Sequence, residues 1–311
     1  MLLKTDLDIP IDSIKINFDT ESLWILNIAL AIVMFGVALG IKVDDFHRLL
    51  KKPKILLVGI FSQFILLPFI TFLVIIIIKP HPSFALGMIM IAACPGGNVS
   101  NFFTKMAKGN AALSVSLTAF ATIICLIMTP LNLQFWGGLY TPTNSILKTV
   151  ELNPYELFKL VLLILGIPLV LGMFVNHYYE KKASKIESYL KPFSMIVFLI
   201  LIMVAFYENI DIFKKYIYLV ASLVIFHNIV AFIIGFYSAK SFGLNSKDSK
   251  TISMETGIQN GGLGLLLIFQ FFDGLGGMAL LAAFWSIWDI FSGLTLGAYW
   301  GRKIDIKFKD I

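Results

Sequence analysis

The chain has 311 residues, 58% of them hydrophobic and 14% charged, with two cysteines and a net charge of +6. A soluble domain carries about 25% charged residues, so this composition excludes an ordinary soluble enzyme and marks an integral membrane protein built of helices. The basic excess suggests a nucleic-acid surface only until the lysines and arginines are placed, because they fall in the loops between apolar runs.

Residues 1–21 are polar, contain Pro10, and lack the continuous apolar core of a signal peptide, so they are expected at the membrane surface. Nine apolar runs follow, each near the ~20 residues that cross hydrocarbon. They are Leu23–Ile41, Ile55–Ile78, Phe84–Ala107, Ala111–Thr129, Tyr155–Val175, Pro192–Tyr207, Tyr216–Ala239, Thr251–Phe272 and Met278–Trp300. Pro130 is expected to end the fourth run, residues 131–153 to form the longest loop, and Tyr179 to Lys191 a charged loop. Loops on alternate sides differ in charge: those after the odd-numbered runs hold 18 Lys and Arg, against 7 elsewhere. The bias puts the C-terminus in the cytoplasm and the N-terminus outside.

The third run contains Ala93-Cys94-Pro95-Gly96-Gly97-Asn98-Val99-Ser100-Asn101. Pro95 lacks an amide donor and the two glycines weaken a helix, so a break is expected there. A break at membrane depth is tolerated where the backbone is buried in protein or lines a cavity. The side-chain oxygens of Asn98, Ser100 and Asn101 follow at once. The bland alternative is a Pro-Gly kink that only adjusts packing.

The eighth run reads Thr251-Ile-Ser-Met-Glu255-Thr-Gly257-Ile-Gln259-Asn260-Gly261-Gly262-Leu-Gly264, with four glycines in eight residues. Glu255 lies inside it. A carboxylate there costs about 2.5–3.5 kcal/mol or more unless it meets a cation or water. Every Lys and Arg stands at or beyond a run end, so a bound cation is the functional reading and an ion pair with a snorkelling lysine the alternative. The broken runs are third and eighth and cross in opposite senses. Residues 22–130 and 192–300 then form inverted units, with 131–191 as a loop and linking span and 301–311 as a tail. Such a pair of interrupted helices points to a transporter with its site at midplane.

Cys94-Pro-Gly-Gly-Asn-Val-Ser-Asn101, Lys108-Gly-Asn-Ala-Ala-Leu-Ser-Val-Ser-Leu-Thr118 and Glu255-Thr-Gly-Ile-Gln-Asn260 resemble the bile acid:sodium symporter family. Phe226-His227-Asn228, Gly235-Phe-Tyr-Ser-Ala-Lys240 and Gln63-Phe-Ile-Leu-Leu-Pro68 support the resemblance, which runs from about Ile32 to Trp300. It implies a panel domain and a core domain in which the two discontinuous helices cross, with nine spans as in the animal bile acid carriers. It also implies sodium-coupled symport of an organic anion, bile-acid-like or a small carboxylate, by alternating access across the cell (inner) membrane.

Two sodium sites are implied. One uses Ser100, Asn101, Ser114, Thr118 and Glu255; the other uses Gln63, Glu255 and Gln259 with the carbonyls of Thr256 and Ile258. All are hard oxygen donors. The solute maps to Asn98, Val99 and Asn260. In the last span Trp285-Ser-Ile-Trp-Asp289 replaces a His-Asn pair of some relatives, so Asp289 joins the solute set as a second intramembrane carboxylate. It is read as facing a cytoplasmic cavity, water-exposed or exchanging protons. A proton-coupled or uncoupled carrier of the same fold remains open on that account. A remoter alternative is an intramembrane enzyme pairing Glu255 with Asp289. No Ser-His-Asp, zinc-ligand or P-loop spacing appears, so no catalytic residue and no cofactor beyond Na+ is expected. Cys94 and Cys125 read as small buried hydrophobes, and His227 with Asn228 as helix–helix hydrogen-bonding residues.

Overall fold

The structure, a computed structural model, describes residue 11 and residues 20–42, 50–151, 153–208 and 210–302. The surface segment expected over 1–21 is therefore outside the described residues save for 11, 20 and 21. So are positions 43–49 of the first basic loop and the tail from 303 onward.

Helix α1 (Thr20–Ala38) and α2 (Pro53–Ile78) open the chain. The first broken segment is α3 (Pro82–Ala93) and α4 (Ser100–Met106). Then come α5 (Ala111–Leu139), the short α6 (Thr141–Val150), α7 (Tyr155–Tyr178), α8 (Glu180–Glu208) and α9 (Ile210–Ser241). The second broken segment is α10 (Ser246–Gly257) and α11 (Gly261–Phe272), and α12 (Gly276–Arg302) is the last helix described. By length and composition α2, α5, α7, α9 and α12 can each cross a bilayer, and Asn27–Ala38, α3 and α11 are shorter apolar helices. Sequence sets several of the boundaries. Pro82 stands in the first turn of α3, where a missing N–H does no harm. Asn110, Asn245 and Asn260 cap α5, α10 and α11 by accepting from Leu113, Asp248 and Leu263 backbone N–H groups.

Two expected loops are helical. Pro130 does not end the fourth run: α5 continues through it to Leu139, and α6 occupies most of 131–153. A proline removes one helical hydrogen bond, but inside a packed helix the flanks are held from outside. Here Thr129 Oγ1 donates to Ala93 O at 2.6 Å, and Asn132 Nδ2 donates to Phe64 O at 2.9 Å. The stretch after Tyr179 is likewise helical, because α8 starts at Glu180 and runs on through Pro192. Its charged turns contain good helix formers and no glycine. They pack on small residues at the end of α1 and just beyond it: Leu190 lies against Gly36 and Glu187 against Gly40.

A further departure lies within α2. Residues Ser62–Leu66 form a π turn, and Leu162–Gly166 form another in α7. Each ends two residues before a proline, Pro68 and Pro168. Pro68 cannot donate to the carbonyl four residues back, which is Phe64 O, and that is the acceptor Asn132 satisfies. The π turn sets Gln63 on the face it shares with Cys94 and Gln259.

The helices form two groups. α1 packs on α7 and α8, with the Asn176 side chain of α7 donating to Leu39 O at the end of α1. An exposed ion pair, Lys42 Nζ to Glu180 Oε1 at 2.5 Å, ties the same ends, and the ammonium holds the Glu180 carboxyl below its usual range. Solvent screening makes its stabilising effect small. The other group holds both broken segments: α12 packs on α3, α4, α9 and α11, while α10 packs on α4, α5 and α9. Its apolar centre is built from α3, α11 and α12 residues such as Met88, Ile91, Leu266, Leu281 and Trp285.

Asn132→Leu removes the donor to Phe64 O while keeping the volume. It is expected to lower stability by about 1–3 kcal/mol, the cost of an orphaned buried carbonyl. Thermal unfolding in detergent measures this, and an unchanged midpoint would show that Asn132 does not hold the proline break.

Candidate functional site

The two breaks meet. Gly97 N donates to Ile258 O at 2.8 Å, and Asn260 N donates to Pro95 O at 2.9 Å. Together they make an antiparallel bridge between Gly96 and Gln259, formed by chain segments more than 150 residues apart. Glycine permits the approach: a Cβ on Gly97 would lie 2.7 Å from Gln259 O, and one on Gly96 would lie 2.9 Å from Glu255 O. The C-terminal ends of α3 and α10 and the N-terminal ends of α4 and α11 therefore converge on one crossing.

Glu255, in the last turn of α10, is 5% exposed. Three hydroxyls donate to its carboxylate. Ser100 Oγ reaches Oε1 at 2.5 Å, Ser114 Oγ also reaches Oε1, and Thr118 Oγ1 reaches Oε2 at 2.9 Å. Ser114 and Thr118 are one helical turn apart on α5 and so share a face. Asn101 completes the group, its Oδ1 lying 3.4 Å from Thr118 Oγ1. Thr104, which the sequence reading passed over, lies 3.2 Å from Ser114. The structure thus brings together Ser100, Asn101, Ser114, Thr118 and Glu255. Among the described residues no cationic side chain forms an ion pair with Glu255. The buried Lys250 is turned to Ala107 O and Trp300 O at the far end of α10.

The second expected set also assembles. Gln63 Nε2 donates to Gln259 Oε1 at 2.8 Å and to Cys94 O at 2.9 Å, and Gln259 Nε2 donates to Thr256 O at 2.6 Å. Gln63 Oε1 is buried and has no hydrogen-bond partner. Ile258 O faces the first break. Ser62 Oγ, 3.1 Å from Thr256 Oγ1, is a neighbour that the apolar run around it gave no reason to single out. Among the described residues no three His, Cys, Asp or Glu side chains gather as a transition metal requires. The donors here are hydroxyl, amide, carbonyl and carboxylate oxygens, which suit a hard cation.

The residues assigned to a solute lie on the α1 side of the crossing and behind it. Asn98 is partly buried, and its Nδ2 donates to Met34 Sδ of α1 at 3.6 Å. Val99, also partly buried, caps α4. Asn260 caps α11 with its side chain, Oδ1 accepting from Leu263 N at 3.0 Å. Asp289 departs from expectation. It does not face water: it is 5% exposed, its Oδ2 accepts from Gln259 N at 2.9 Å, and its Oδ1 accepts from Asn228 Nδ2 at 3.2 Å. Its donors are N–H groups, where those of Glu255 are hydroxyls. His227 and Asn228 do make helix–helix contacts, His227 Nε2 with Thr71 Oγ1 at 2.6 Å and Asn228 Nδ2 with Gly257 O at 2.8 Å. Cys94 and Cys125 are buried free thiols.

A family model described as the sodium bile acid symporter family matches residues 27–216. A Bacillus subtilis protein named as an uncharacterized sodium-dependent transporter is 31% identical over 294 residues, covering 94% of this chain and 88% of that protein. A probable chloroplastic sodium/metabolite cotransporter of Arabidopsis thaliana is 30% identical, covering 91% of this chain and 68% of its own length. The human ileal sodium/bile acid cotransporter is 28% identical, covering 90% and 79%.

Gly97→Ala tests the crossing directly. Its methyl group meets backbone rather than a flexible side chain, so the two segments must separate. The variant is expected to lose about 2 kcal/mol or more of stability, as for other strained core insertions. Gly138→Ala, with nothing within 4 Å of the added carbon, is the control and should leave the midpoint unchanged or slightly raised. Equal midpoints for the two variants would argue against the close backbone approach.

Proposed function

The chain belongs to the sodium bile acid symporter family, and on that footing we propose that it couples sodium to the movement of an organic anion by alternating access. It is a multi-pass membrane protein of a sodium-dependent transporter family and not an enzyme. The solute proposed is a bile-acid-like or smaller carboxylate. The human relative's name gives a bile acid and the Arabidopsis relative's gives a metabolite.

The observation that carries the proposal is the hydroxyl cage around a buried carboxylate at the crossing of the breaks. A hydroxyl both donates and accepts. With no cation, Ser100, Ser114 and Thr118 turn their hydrogens toward Glu255 and stabilise its charge. With sodium present they turn them away, and their lone pairs join Asn101 Oδ1 and Glu255 in a shell of hard oxygens. In the second site Gln63 Oε1, which takes no hydrogen bond, Gln259, the carbonyls of Thr256 and Ile258, and Glu255 hold another ion. One carboxylate bridging two cations links their occupancy. The solute sits by Asn98, Val99 and Asn260 at the seam with α1.

Nine spans follow if each broken segment counts once, in two inverted units, with the N-terminus outside the cell (inner) membrane and the C-terminus in the cytoplasm. The first unit then extends along α5 to Leu139. A carrier driven by titration of Asp289 is less favoured, since both Asp289 oxygens already take N–H donors.

Purified protein in detergent is expected to be stabilised against heat by NaCl over equal choline chloride, and further by an organic anion only when sodium is present. Glu255→Gln should weaken the sodium response by about 100-fold, the upper end of what even an outer-shell loss costs a metal site. Sodium-independent uptake of the same anion into proteoliposomes by wild-type protein would overturn the proposal.

A further inference from the structure

A chain of hydrogen bonds behind the second break is directional from end to end. Trp288 Nε1 of α12 donates to Asn228 Oδ1 of α9 at 3.2 Å. This leaves the Asn228 amide with its two N–H groups facing Gly257 O at 2.8 Å and Asp289 Oδ1 at 3.2 Å. Asp289 Oδ2 then accepts from Gln259 N at 2.9 Å. Every donor meets an acceptor, and none of the three side chains belongs to the broken segment. Asn228 and Asp289 are buried on helices that run unbroken beside it.

What this chain grips is the backbone on both sides of Ile258. Gly257 C=O lies in the peptide plane before it, and Gln259 N–H lies in the plane after it. In a trans peptide the carbonyl points opposite to the N–H. Holding Gln259 N–H toward Asp289 therefore turns Ile258 C=O away from α12, toward Gly97 N, 2.8 Å away. Ile258 N–H still donates to Met254 O at 3.0 Å, the last helical bond of α10, but its extended backbone, with φ −98° and ψ 107°, carries the carbonyl out of the helical ladder, so that direction is set from outside the helix. Only a carboxylate offers two acceptors to two N–H donors; an asparagine at 289 would set an NH2 group against one of them.

We propose that Asp289 and Asn228, with Trp288 fixing the Asn228 amide, are positioning residues for the second cation site. They aim the Ile258 carbonyl and hold Gln259 in register without touching the ion. This rests on the reading of Gln63, Glu255, Thr256, Ile258 and Gln259 as sodium ligands. Supporting shells of this kind alter metal affinity by about 10–100-fold when lost.

The test is a NaCl titration of thermal stabilisation at constant ionic strength with choline chloride, on wild type, Asp289→Asn, Asn228→Ala and Trp288→Phe. Asp289→Asn and Asn228→Ala are expected to raise half-saturating sodium by about tenfold or more, with the titration changing from cooperative to single-site. Trp288→Phe keeps the ring and loses only the N–H, so a shift of about threefold is expected, near the net effect of one hydrogen bond. The Asp289→Asn/Asn228→Ala double variant should be no worse than its worse parent, because both break one chain. Thr71→Val removes a buried hydrogen bond to the same helix, at His227. It should lower the midpoint without moving the sodium titration.

Lower stability with wild-type half-saturation in the 228, 288 and 289 variants would overturn the proposal and leave these side chains as packing. If an Asp289 variant does not fold, Asn228→Ala and Trp288→Phe decide by the same criterion. A wild type indifferent to sodium would overturn the transport reading and this inference with it. If the wild type responds and Glu255→Gln does not, but the positioning variants titrate as wild type, this inference alone fails.

Discussion

A backbone that leaves its helix inside hydrocarbon has no water to bond, so each of its polar groups must find a protein partner. Here each break takes part of its partners from the other and part from the helices around it. Pro95 O takes Asn260 N, and Ile258 O takes Gly97 N. The remaining groups are served from the side: Ala93 O by Thr129, Cys94 O by Gln63, Gly257 O by Asn228, and Gln259 N by Asp289. Neither segment is satisfied without the other. An unpaired buried backbone group costs several kcal/mol in such a medium. The two halves of the chain are thereby locked at one point, beside the side-chain oxygens of Ser100, Ser114, Thr118 and Glu255.

The two buried carboxylates show how donor type separates roles. Hydroxyl hydrogens surround Glu255, and hydroxyls can rotate. Fixed N–H groups surround Asp289, and they can only donate. A cation approaching Glu255 needs three hydroxyls to turn, a matter of side-chain torsions. A cation approaching Asp289 would have to displace a backbone N–H and an amide, releasing the break they hold. Equal burial therefore does not imply equal access to a cation.

Much of this was legible in the residues. Pro95 with two glycines, and the glycine cluster after Glu255, announce backbone breaks through local conformational limits that need no tertiary context. Ser114 and Thr118 share a face by helical spacing alone, and lysines and arginines that stand only near or beyond the run ends leave Glu255 to hydroxyls or an ion. Other features depend on neighbours. Pro130 reads as a stop, but whether a proline ends a helix depends on what holds its flanks, and Thr129 and Asn132 tie them to the remote carbonyls of Ala93 and Phe64. The charged start of α8 reads as a loop because charge is taken for exposure, whereas glycines of α1 offer it a surface. Asp289 carries no local mark of its partner: Gln259 lies 30 residues away and presents a backbone N–H. The only available signal was its place on the helix directly after a broken one.

The strength of contacts differs between the inside of the core and its boundary with α1. Inside, the crossing is bound by backbone hydrogen bonds, each worth about 0.5–1.5 kcal/mol in net terms, and by charge-assisted hydroxyls, each worth about 1.5–3 kcal/mol. At the boundary, one polar contact is Asn98 Nδ2 to Met34 Sδ at 3.6 Å, a weak donor–thioether pair. Met34 is flexible and polarizable, and adapts to a shifting neighbour at little cost. Sliding along that boundary exchanges one apolar contact for another, while deforming the crossing strands polar groups in a dry interior. For the alternating access proposed above, the arrangement therefore favours motion of the core as one body against α1, α7 and α8, with the oxygen cluster carried intact, over any motion that opens the cluster itself.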